Sequence, residues 1–312
     1  MSDYIFSARS ISNGAFTNDV DSTTHYLSVP DGANAILPSQ ETDQDTWVKN
    51  LIADIRNNGL DDILIFVHGY NENEGDILNH HNTLKQGLAT QNFKGMVVSF
   101  DWPCANKALM YLDDRNKATM TAIQLGTGGI GILAAQQNNN CKINVHVLAH
   151  STGAFVVREA FENAQNAKLA TDNWVVNQLM FISGDISSKS MNIHSGCDAM
   201  YDHCIRLTNY FNPYDAALAM SNLKRFGFEN RVGRVGLPEG APDKCVDVDC
   251  GPWYQTIQNN SSDPFYSHGW AFDPKSNAPF IKDLNLTIQG NVDRNVMITR
   301  QLVNGKLTLV NK

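Results

Sequence analysis

The segment VHVLAHSTGAFVVREAF, residues 145–161, changes its periodicity at a single serine. The apolar run before the serine, residues 145–150, is typical of a buried strand. After the serine, small and apolar residues recur at helical spacing and form one face: Ala154, Val157, Phe161 and Ala164. A strand that turns this directly into a helix leaves the side chain at the turn standing clear of the backbone. We therefore interpret Ser151 as a nucleophile.

The residues around this serine fit a tight turn. Ala149 and Gly153 flank Ser151 at two-residue spacing, and their small size lets the strand and helix backbones approach while the serine adopts a strained conformation. The alternative is that Ser151 only caps the following helix, because serine is a common N-cap residue. The position and the small flanking residues together favour the nucleophile.

Short apolar runs alternate with helical stretches along the chain. The runs are rich in Val, Ile and Phe and predict buried strands at 61–70, 95–102, 143–150, 177–185, 204–212 and 244–250. Helical patterns predict helices at 46–57, 76–89, 111–125 and 152–167. This alternation is typical of an α/β fold with a doubly wound, mostly parallel sheet and helices on both faces.

We expect a single domain over residues 1–312, because no linker or internal repeat interrupts the pattern. Residues 1–45 are rich in Ser, Asn, Thr and Asp and are interpreted as an extended N-terminal lead-in with a candidate strand at 24–29. Within residues 186–243, the segments 186–203 and 216–243 lack strong periodicity and are expected to be excursions over the sheet, one of them a candidate lid. Residues 280–312 show alternating runs, and Asn304-Gly305 predicts a hairpin turn in this C-terminal extension.

Composition and charge exclude several classes of protein. The chain has 42% hydrophobic and 18% charged residues, which is typical of a globular protein with a large core. Its net charge of −8 argues against a nucleic-acid partner. Its apolar runs are too short to cross a membrane. The start, MSDYIFSARS, lacks the charge and apolar stretch of a secretory signal, so we expect a cytoplasmic location, with non-standard export left open.

Two sequence patterns resemble cofactor sites, but we interpret neither of them as a cofactor site. Gly126–Gly131 satisfies G-x-G-x-x-G, but a dinucleotide site needs a strand before this pattern, whereas a helical segment precedes it here. We expect these glycines to allow close packing or a bend in a helix. The pairs Cys197/Cys204 and Cys245/Cys250 miss the C-x-x-C spacing of structural zinc sites. No metal and no organic cofactor is therefore expected.

A second turn is expected to supply a backbone donor for the oxyanion that forms when a serine attacks a carbonyl. The segment FVHGYN, residues 66–71, is an apolar run that ends at His68-Gly69. A sharp turn there frees the backbone N–H of Tyr70, which can pair with that of Thr152 to bind an oxyanion.

The two motifs together resemble an alpha/beta-hydrolase. The segment FDWPCANKALMYLDDR, residues 100–115, is similar to a bacterial branch of that superfamily that is catalogued as a domain of unknown function. The resemblance covers roughly residues 60–270. It implies a serine hydrolase whose triad follows the chain order serine, acid, histidine.

That order leaves two acids and one favoured histidine. Asp215, in YFNPYDAALAMS, follows an apolar strand and matches the acid-Ala-Leu segment of the resembling family. Asp185, in LMFISGDIS, is the alternative acid, and it can also be interpreted as a turn residue. His268 lies on a loop beyond the last clear core strand and is the expected base. His80 and His81 are interpreted as an exposed helix face.

The expected activity is cleavage of carboxylic esters, a lipid or thioester among the candidate substrates, through an acyl-enzyme. Ser151, Asp215 and His268 would be the catalytic residues, with Tyr70 and Thr152 binding the oxyanion. The substrate would be a small-molecule ester or a lipid. The alternative is a catalytically inert hydrolase scaffold that serves as a binding or interaction module.

Overall fold

The computed structural model describes residues 2–70, 72–104, 111–137, 143–167, 174–224 and 229–312. The chain contacts divide these residues into two compact units, one built from residues 1–82 and 94–176 and the other from 83–93 and 177–312. No helix among the described residues combines the length and the apolar character needed to cross a membrane. Cys141, and the part of the 100–115 motif at 105–110, lie outside the described residues.

The first unit contains most of the chain's N-terminal half. Its strands are β1 (Asp3–Ser12), β2 (Ala15–Val29), β3 (Glu41–Thr42), β4 (Asp62–Val67), β5 (Gly95–Asp101) and β6 (Asn144–His150). Its helices are α1 (Gln44–Asn57), α2 (Glu74–Thr90, whose last turns belong to the second unit), α3 (Tyr111–Ile123), α4 (Gly131–Ala134) and α5 (Gly153–Ala167). A 3₁₀ turn at Pro38–Gln40 and a π-helix at Gln124–Ile130 complete it.

The strands of the first unit lie in the order β6-β4-β5-β1-β2-β3. β4 pairs in parallel with both β5 and β6, and β5 pairs in parallel with β1. All six residues of β4 are buried, which explains why this strand is a continuous apolar run rather than an alternating one. The carboxyl ends of β4 and β6 therefore lie at the same edge of the sheet, where His68 and Ser151 follow them.

Residues 1–45 differ from the expected extended lead-in. They form the antiparallel pair β1 and β2, and β1 continues the sheet through its parallel pairing with β5. The buried end of this pair packs its apolar side chains, such as Ile5 and Leu27, while the Ser-, Asn- and Asp-rich part around Ala15–Thr24 is largely exposed. The polar composition that suggested a loop is thus the composition of an exposed antiparallel ribbon.

The second unit contains the rest of the strands and helices. Its strands are β7 (Val176–Ile182), β8 (Cys204–Phe211), β9 (Cys245–Asp249), β10 (Arg300–Val303) and β11 (Lys306–Leu309). Its helices are α6 (Asp198–Asp202), α7 (Ala216–Lys224), α8 (Val232–Val235), α9 (Gly251–Ile257), α10 (Tyr266–Gly269) and α11 (Ala278–Gln289), with 3₁₀ turns at Lys189–Met191, Gln258–Asn260 and Trp270–Phe272. The strand order is β7-β8-β9-β11-β10, with β8, β9 and β11 parallel and β10 antiparallel.

The segments interpreted as excursions contain short helices. Residues 186–203 include α6 and a buried set of side chains, among them Met191 and Met200. Residues 216–243 include α7 and α8, while 225–228 lie outside the described residues.

The C-terminal extension holds both the predicted hairpin and a helix that was not predicted. β10 and β11 pair across Asn304 and Gly305, both of which have positive φ, as this two-residue turn requires. Helix α11 precedes them and ends at Gly290, which has φ of 63°. Polar residues on its buried face, such as Asp283 and Thr287, interrupt the apolar periodicity by which a helix is recognised.

The glycine run Gly126–Gly131 lies in the π-helix and at the start of α4, and its glycines admit close neighbours. A Cβ on Gly129 would lie 2.3 Å from Cζ of the buried Phe6, and one on Gly126 would lie 3.1 Å from the backbone oxygen of Ala160. The close-packing interpretation of these glycines is therefore confirmed.

Candidate active site

Ser151 occupies a strained turn in the first unit. β6 ends at His150 and α5 begins at Gly153, so only Ser151 and Thr152 connect strand to helix. The φ of Ser151 is +53°, a conformation that costs a residue with a Cβ about 1–3 kcal/mol. Ser151 is buried, with 5% of its surface exposed. Such strain persists where the surrounding structure enforces it, which is the geometry expected for a nucleophile at a strand-to-helix turn.

Two glycines allow the His68-Gly69 turn to reach this serine. A Cβ on Gly153 would lie 2.5 Å from the backbone oxygens of both Val67 and His68. A Cβ on Gly69 would lie 2.7 Å from Cβ of Ser151. Any side chain at either position would push the two turns apart, so glycine is required for this approach.

Both ring nitrogens of His68 form hydrogen bonds with backbone groups. Trp102 donates its backbone N–H to Nε2 of His68 at 3.0 Å, so Nδ1 carries the ring hydrogen and donates to the carbonyl of Gly69 at 2.9 Å. The Trp102 indole stacks on the imidazole at 5.4 Å and donates to the carbonyl of His68 at 3.0 Å. His68 is therefore a structural part of the turn.

Thr152 and the turn at Tyr70 lie in the same unit as Ser151. Thr152 directly precedes α5, and the first N–H groups of a helix have no carbonyl partner within it. The positive end of the helix dipole adds to these donors and favours an anion at this position. The first unit thus brings together Ser151, Thr152 and the turn that carries Tyr70.

Asp215 and His268 meet in the second unit. His268 donates from Nδ1 to Oδ2 of Asp215 at 2.7 Å, and the other oxygen of Asp215 accepts the backbone N–H of Leu218 at 2.9 Å. Asp215 is 0% exposed, whereas the His268 side chain is 15% exposed. Both oxygens of the carboxylate are thus engaged at the start of α7, so the carboxylate fixes the orientation of the imidazole.

Polar contacts hold the backbone around His268 in place. Asn212, directly after β8, donates to the carbonyl of Ser267 at 2.8 Å, and Ser267 accepts the N–H of Ala216 at 3.0 Å through its hydroxyl. Ser183 donates to the carbonyl of His268 at 3.3 Å and, like Ser151, has a positive φ, +51°. The loop that carries the histidine is therefore tied to the ends of both β7 and β8.

The alternative acid, Asp185, has a different partner. Its Oδ1 lies 3.2 Å from Nε of Arg231, and both residues are buried. Backbone hydrogen bonds join the same two segments, because Val232 donates to Ile186 and Gly233 donates to Gly184. Asp185 therefore balances a buried guanidinium within the second unit.

The interpretation of His80 and His81 as an exposed helix face is wrong. His81 is 0% exposed, and its ring lies 2.8 Å from the hydroxyl of Ser99 and 3.3 Å from Asp3. His80 contacts the buried carboxylate of Glu72 at 3.0 Å. Both histidines are on the side of α2 that faces the sheet, where each contacts a buried polar side chain.

The structure gives no support for a metal centre in the part of the chain that it describes. No group of three or more His, Cys, Asp or Glu side chains there is arranged to hold a metal ion. The described cysteines, among them Cys197, Cys204, Cys245 and Cys250, form no disulfide with one another.

Sequence reasoning missed the residues that support the two turns. Asn212 and Ser267 hold the histidine loop, and Glu72 lies behind the His68-Gly69 turn. Asn212 precedes a proline directly after a strand, which is a turn signal. Glu72 stands in the polar segment NENEGD, and nothing in its neighbours along the chain signals that it is buried.

Several solved structures are similar to this chain at low sequence identity. Solved structures that match include a cutinase-like protein from Cryptococcus sp., with 14% identity, a TM-score of 0.36, and coverage of 74% of this chain and 95% of that one. The catalytic core domain of acetyl xylan esterase from Trichoderma reesei has 14% identity, a TM-score of 0.34, and coverage of 74% and 98%. The NocB thioesterase domain has 12% identity, a TM-score of 0.37, and coverage of 75% and 96%.

No curated protein matches the chain. A family model described as alpha/beta hydrolase of unknown function (DUF900) matches residues 41–244 of the 312. The matched range contains Ser151, Asp185 and Asp215 and ends before His268. The mostly parallel sheet flanked by helices is the alpha/beta-hydrolase fold, and the chain belongs to the family of alpha/beta hydrolases of unknown function.

Proposed function

We propose that the protein is a serine hydrolase that cleaves carboxylic esters through an acyl-enzyme. The observation that carries the proposal is the 2.7 Å hydrogen bond between His268 and the fully buried Asp215, because a hydrolase needs an imidazole held in one tautomer. The strained turn at Ser151 supports it independently.

In the proposed mechanism, the Ser151 hydroxyl attacks the carbonyl carbon of the ester. Its proton passes to Nε2 of His268, since Nδ1 is held by Asp215. The carbonyl π electrons move to oxygen, and the N–H groups of Tyr70 and Thr152 bind the resulting oxyanion. The carbon–oxygen bond to the leaving alcohol then breaks, and His268 returns the proton to that alcohol. A water molecule repeats the sequence and releases the acid and the free serine.

Asp215 is the proposed acid, and Asp185 is not, because each already has a distinct electrostatic task. Asp215 neutralises the imidazolium that forms during each proton transfer. Asp185 neutralises Arg231, a permanent cation. Moving the acid role to Asp185 would leave a buried guanidinium without its counter-charge.

The first experiment treats the folded protein with a fluorophosphonate probe, which phosphonylates an activated serine. We expect the wild type to be labelled and Ser151→Ala to remain unlabelled. Hydrolysis of a chain-length series of p-nitrophenyl esters by the same two proteins then shows whether turnover follows labelling and which acyl length is preferred.

An inert scaffold gives a different result in this experiment. If the folded wild type takes up no probe, or if Ser151→Ala is labelled equally, the hydrolase proposal fails and the binding-module alternative gains support. Circular dichroism of both proteins confirms that the comparison is made on folded chains.

A further inference from the structure

A buried carboxylate lies directly behind the His68-Gly69 turn. Glu72 is 6% exposed, and its Oε1 accepts the backbone N–H of Gly69 at 3.2 Å. The same oxygen lies 3.4 Å from Nδ1 of His150, the residue that precedes Ser151. One oxygen atom therefore contacts both the turn that carries Tyr70 and the residue adjacent to the candidate nucleophile.

The second oxygen of Glu72 is held by α2. Nδ1 of His80 donates to Oε2 at 3.0 Å. Burial by itself raises the pKa of Glu72, but the charge of His80 and the hydrogen bonds from His150 and His80 outweigh burial and hold that pKa well below its usual range. In turn, burial lowers the pKa of His80, and the Glu72 carboxylate raises it above its usual value. Each member of the pair therefore favours the charged form of the other.

The backbone of Glu72 is fixed as firmly as its side chain. Its carbonyl accepts hydrogen bonds from Nη2 of Arg9 at 3.2 Å and from the thiol of Cys104 at 3.1 Å, and its N–H lies 3.3 Å from the same sulfur. Arg9 is itself bound to Asp101 at 2.7 Å, and both are fully buried. Glu72 thus has little freedom to move, and the groups that contact its carboxylate share that rigidity.

We infer that Glu72 is a positioning residue that holds the His68–Tyr70 turn at a fixed distance from Ser151, so that the oxyanion donors are in place before the substrate binds. This inference rests on the proposed function. Filling this buried site does not by itself require a charged group, and among the described residues Glu72 neutralises no permanent cation of the kind that Asp185 and Asp283 face. The carboxylate is suited to this position because it accepts hydrogen bonds from Gly69 in the turn and from His80 on α2 while also contacting His150 at the end of β6. Misplacement of oxyanion donors by about 1 Å is enough to lower the rate about 100-fold.

The test is Glu72→Gln, which keeps the volume of the side chain and removes its charge and one acceptor. We expect kcat for a p-nitrophenyl ester to fall about 10- to 100-fold, with KM changed by no more than about twofold, since oxyanion contacts act mainly in the transition state. The second readout is the ratio of rates for an oxygen ester and the matching thionoester. Sulfur accepts hydrogen bonds poorly, so a displaced oxyanion site lowers the oxygen-ester rate more and reduces this ratio.

Asp62→Asn is the matched control. Asp62 forms another carboxylate–histidine pair in the first unit, with His146 at 3.2 Å, but it begins β4, whereas His68 follows the end of that strand. Asp62 therefore lies about 20 Å along the strand from the turn at His68. Asp62→Asn is expected to lower stability and to leave both kcat and the rate ratio within about twofold of wild type.

The outcomes separate this inference from the proposed function. If the wild type hydrolyses no ester, the proposed function fails and the inference falls with it. If the wild type is active and Glu72→Gln keeps both its kcat and its rate ratio, the inference alone is overturned. If Glu72→Gln does not fold, His80→Gln is measured in its place, and an unchanged rate ratio in that variant overturns the inference equally.

Discussion

Asp215 and Asp185 show how two buried carboxylates that each follow a strand acquire different tasks. Asp215 faces a histidine at 2.7 Å, a group whose charge changes near neutral pH, whereas Asp185 faces an arginine at 3.2 Å, a group whose charge is constant. A carboxylate beside a titrating group can assist proton transfer. One beside a permanent cation contributes to the fold, because it cancels a buried charge.

The two acids are therefore expected to respond differently to the same substitution. Asp215→Asn should lower kcat by about 10⁴-fold, because the amide favours the wrong tautomer of His268. Asp185→Asn should keep kcat within about tenfold and should lower the free energy of unfolding by about 3 kcal/mol, because Arg231 stays buried without a counter-charge. Ester turnover and urea denaturation measure the two quantities on each variant. A loss of turnover confined to Asp185→Asn would transfer the acid role to that residue.

The strands that are easiest to predict from the sequence are those whose burial is complete. β4, β5 and β6 are nearly continuous buried runs, and such runs are recognisable without knowledge of their neighbours. β1 and residues 15–23 of β2 escaped prediction because half of their ribbon is polar and exposed. Helix α11 escaped it because Asp283, Asn285 and Thr287 are buried polar residues whose partners come from distant parts of the chain.

The same distinction applies to the candidate site. The turn at Ser151, the His68-Gly69 turn and the order of Asp215 and His268 are local or ordinal patterns, so the sequence alone identified them as candidates. The contacts of Glu72 with His80 and His150 join α2 to the end of β6, and no local pattern records such a contact. Whether Ser151 and His268 act together stays a prediction that the labelling experiment tests.

The π-helix yields a prediction at the scale of one element. Gly129→Ala would place a methyl group 2.3 Å from Phe6, whose ring is fully buried and lies 4.9 Å from that of Phe100. Overpacking of this kind costs about 1–3 kcal/mol, which corresponds to a fall in Tm of several degrees, measured by thermal denaturation. In a Phe6→Leu background, adding Gly129→Ala should lower Tm by less than it does in the wild type, because the smaller side chain leaves room for the methyl group. An unchanged Tm for Gly129→Ala would show that the ring can move aside.

At the scale of the whole chain, residues on both sides of the family match complete the fold. Residues 1–40 supply β1 and β2 to the sheet of the first unit, and residues 245–312 supply β9, β10, β11 and the loop with His268. The last of these segments is anchored by a buried ion pair. Arg300, at the start of β10, contacts the α11 residue Asp283 at 2.6 Å, and Tyr210 of β8 donates to the same carboxylate at 2.7 Å.

This anchor makes the C-terminal hairpin a part of the cooperative structure of the second unit. Arg300→Met should lower the free energy of unfolding by about 3–5 kcal/mol, because Asp283 would remain buried without its cation. Arg294→Met is the control, since Arg294 donates only to the backbone carbonyls of Asp243 and Lys244, and it should cost about 1 kcal/mol. Urea denaturation measures both values. Equal and small losses for the two variants would mean that the hairpin unfolds independently of the rest of the unit. The Asp283 carboxylate would then be hydrated once the hairpin detaches, and the ion pair would not contribute to the stability of the unit.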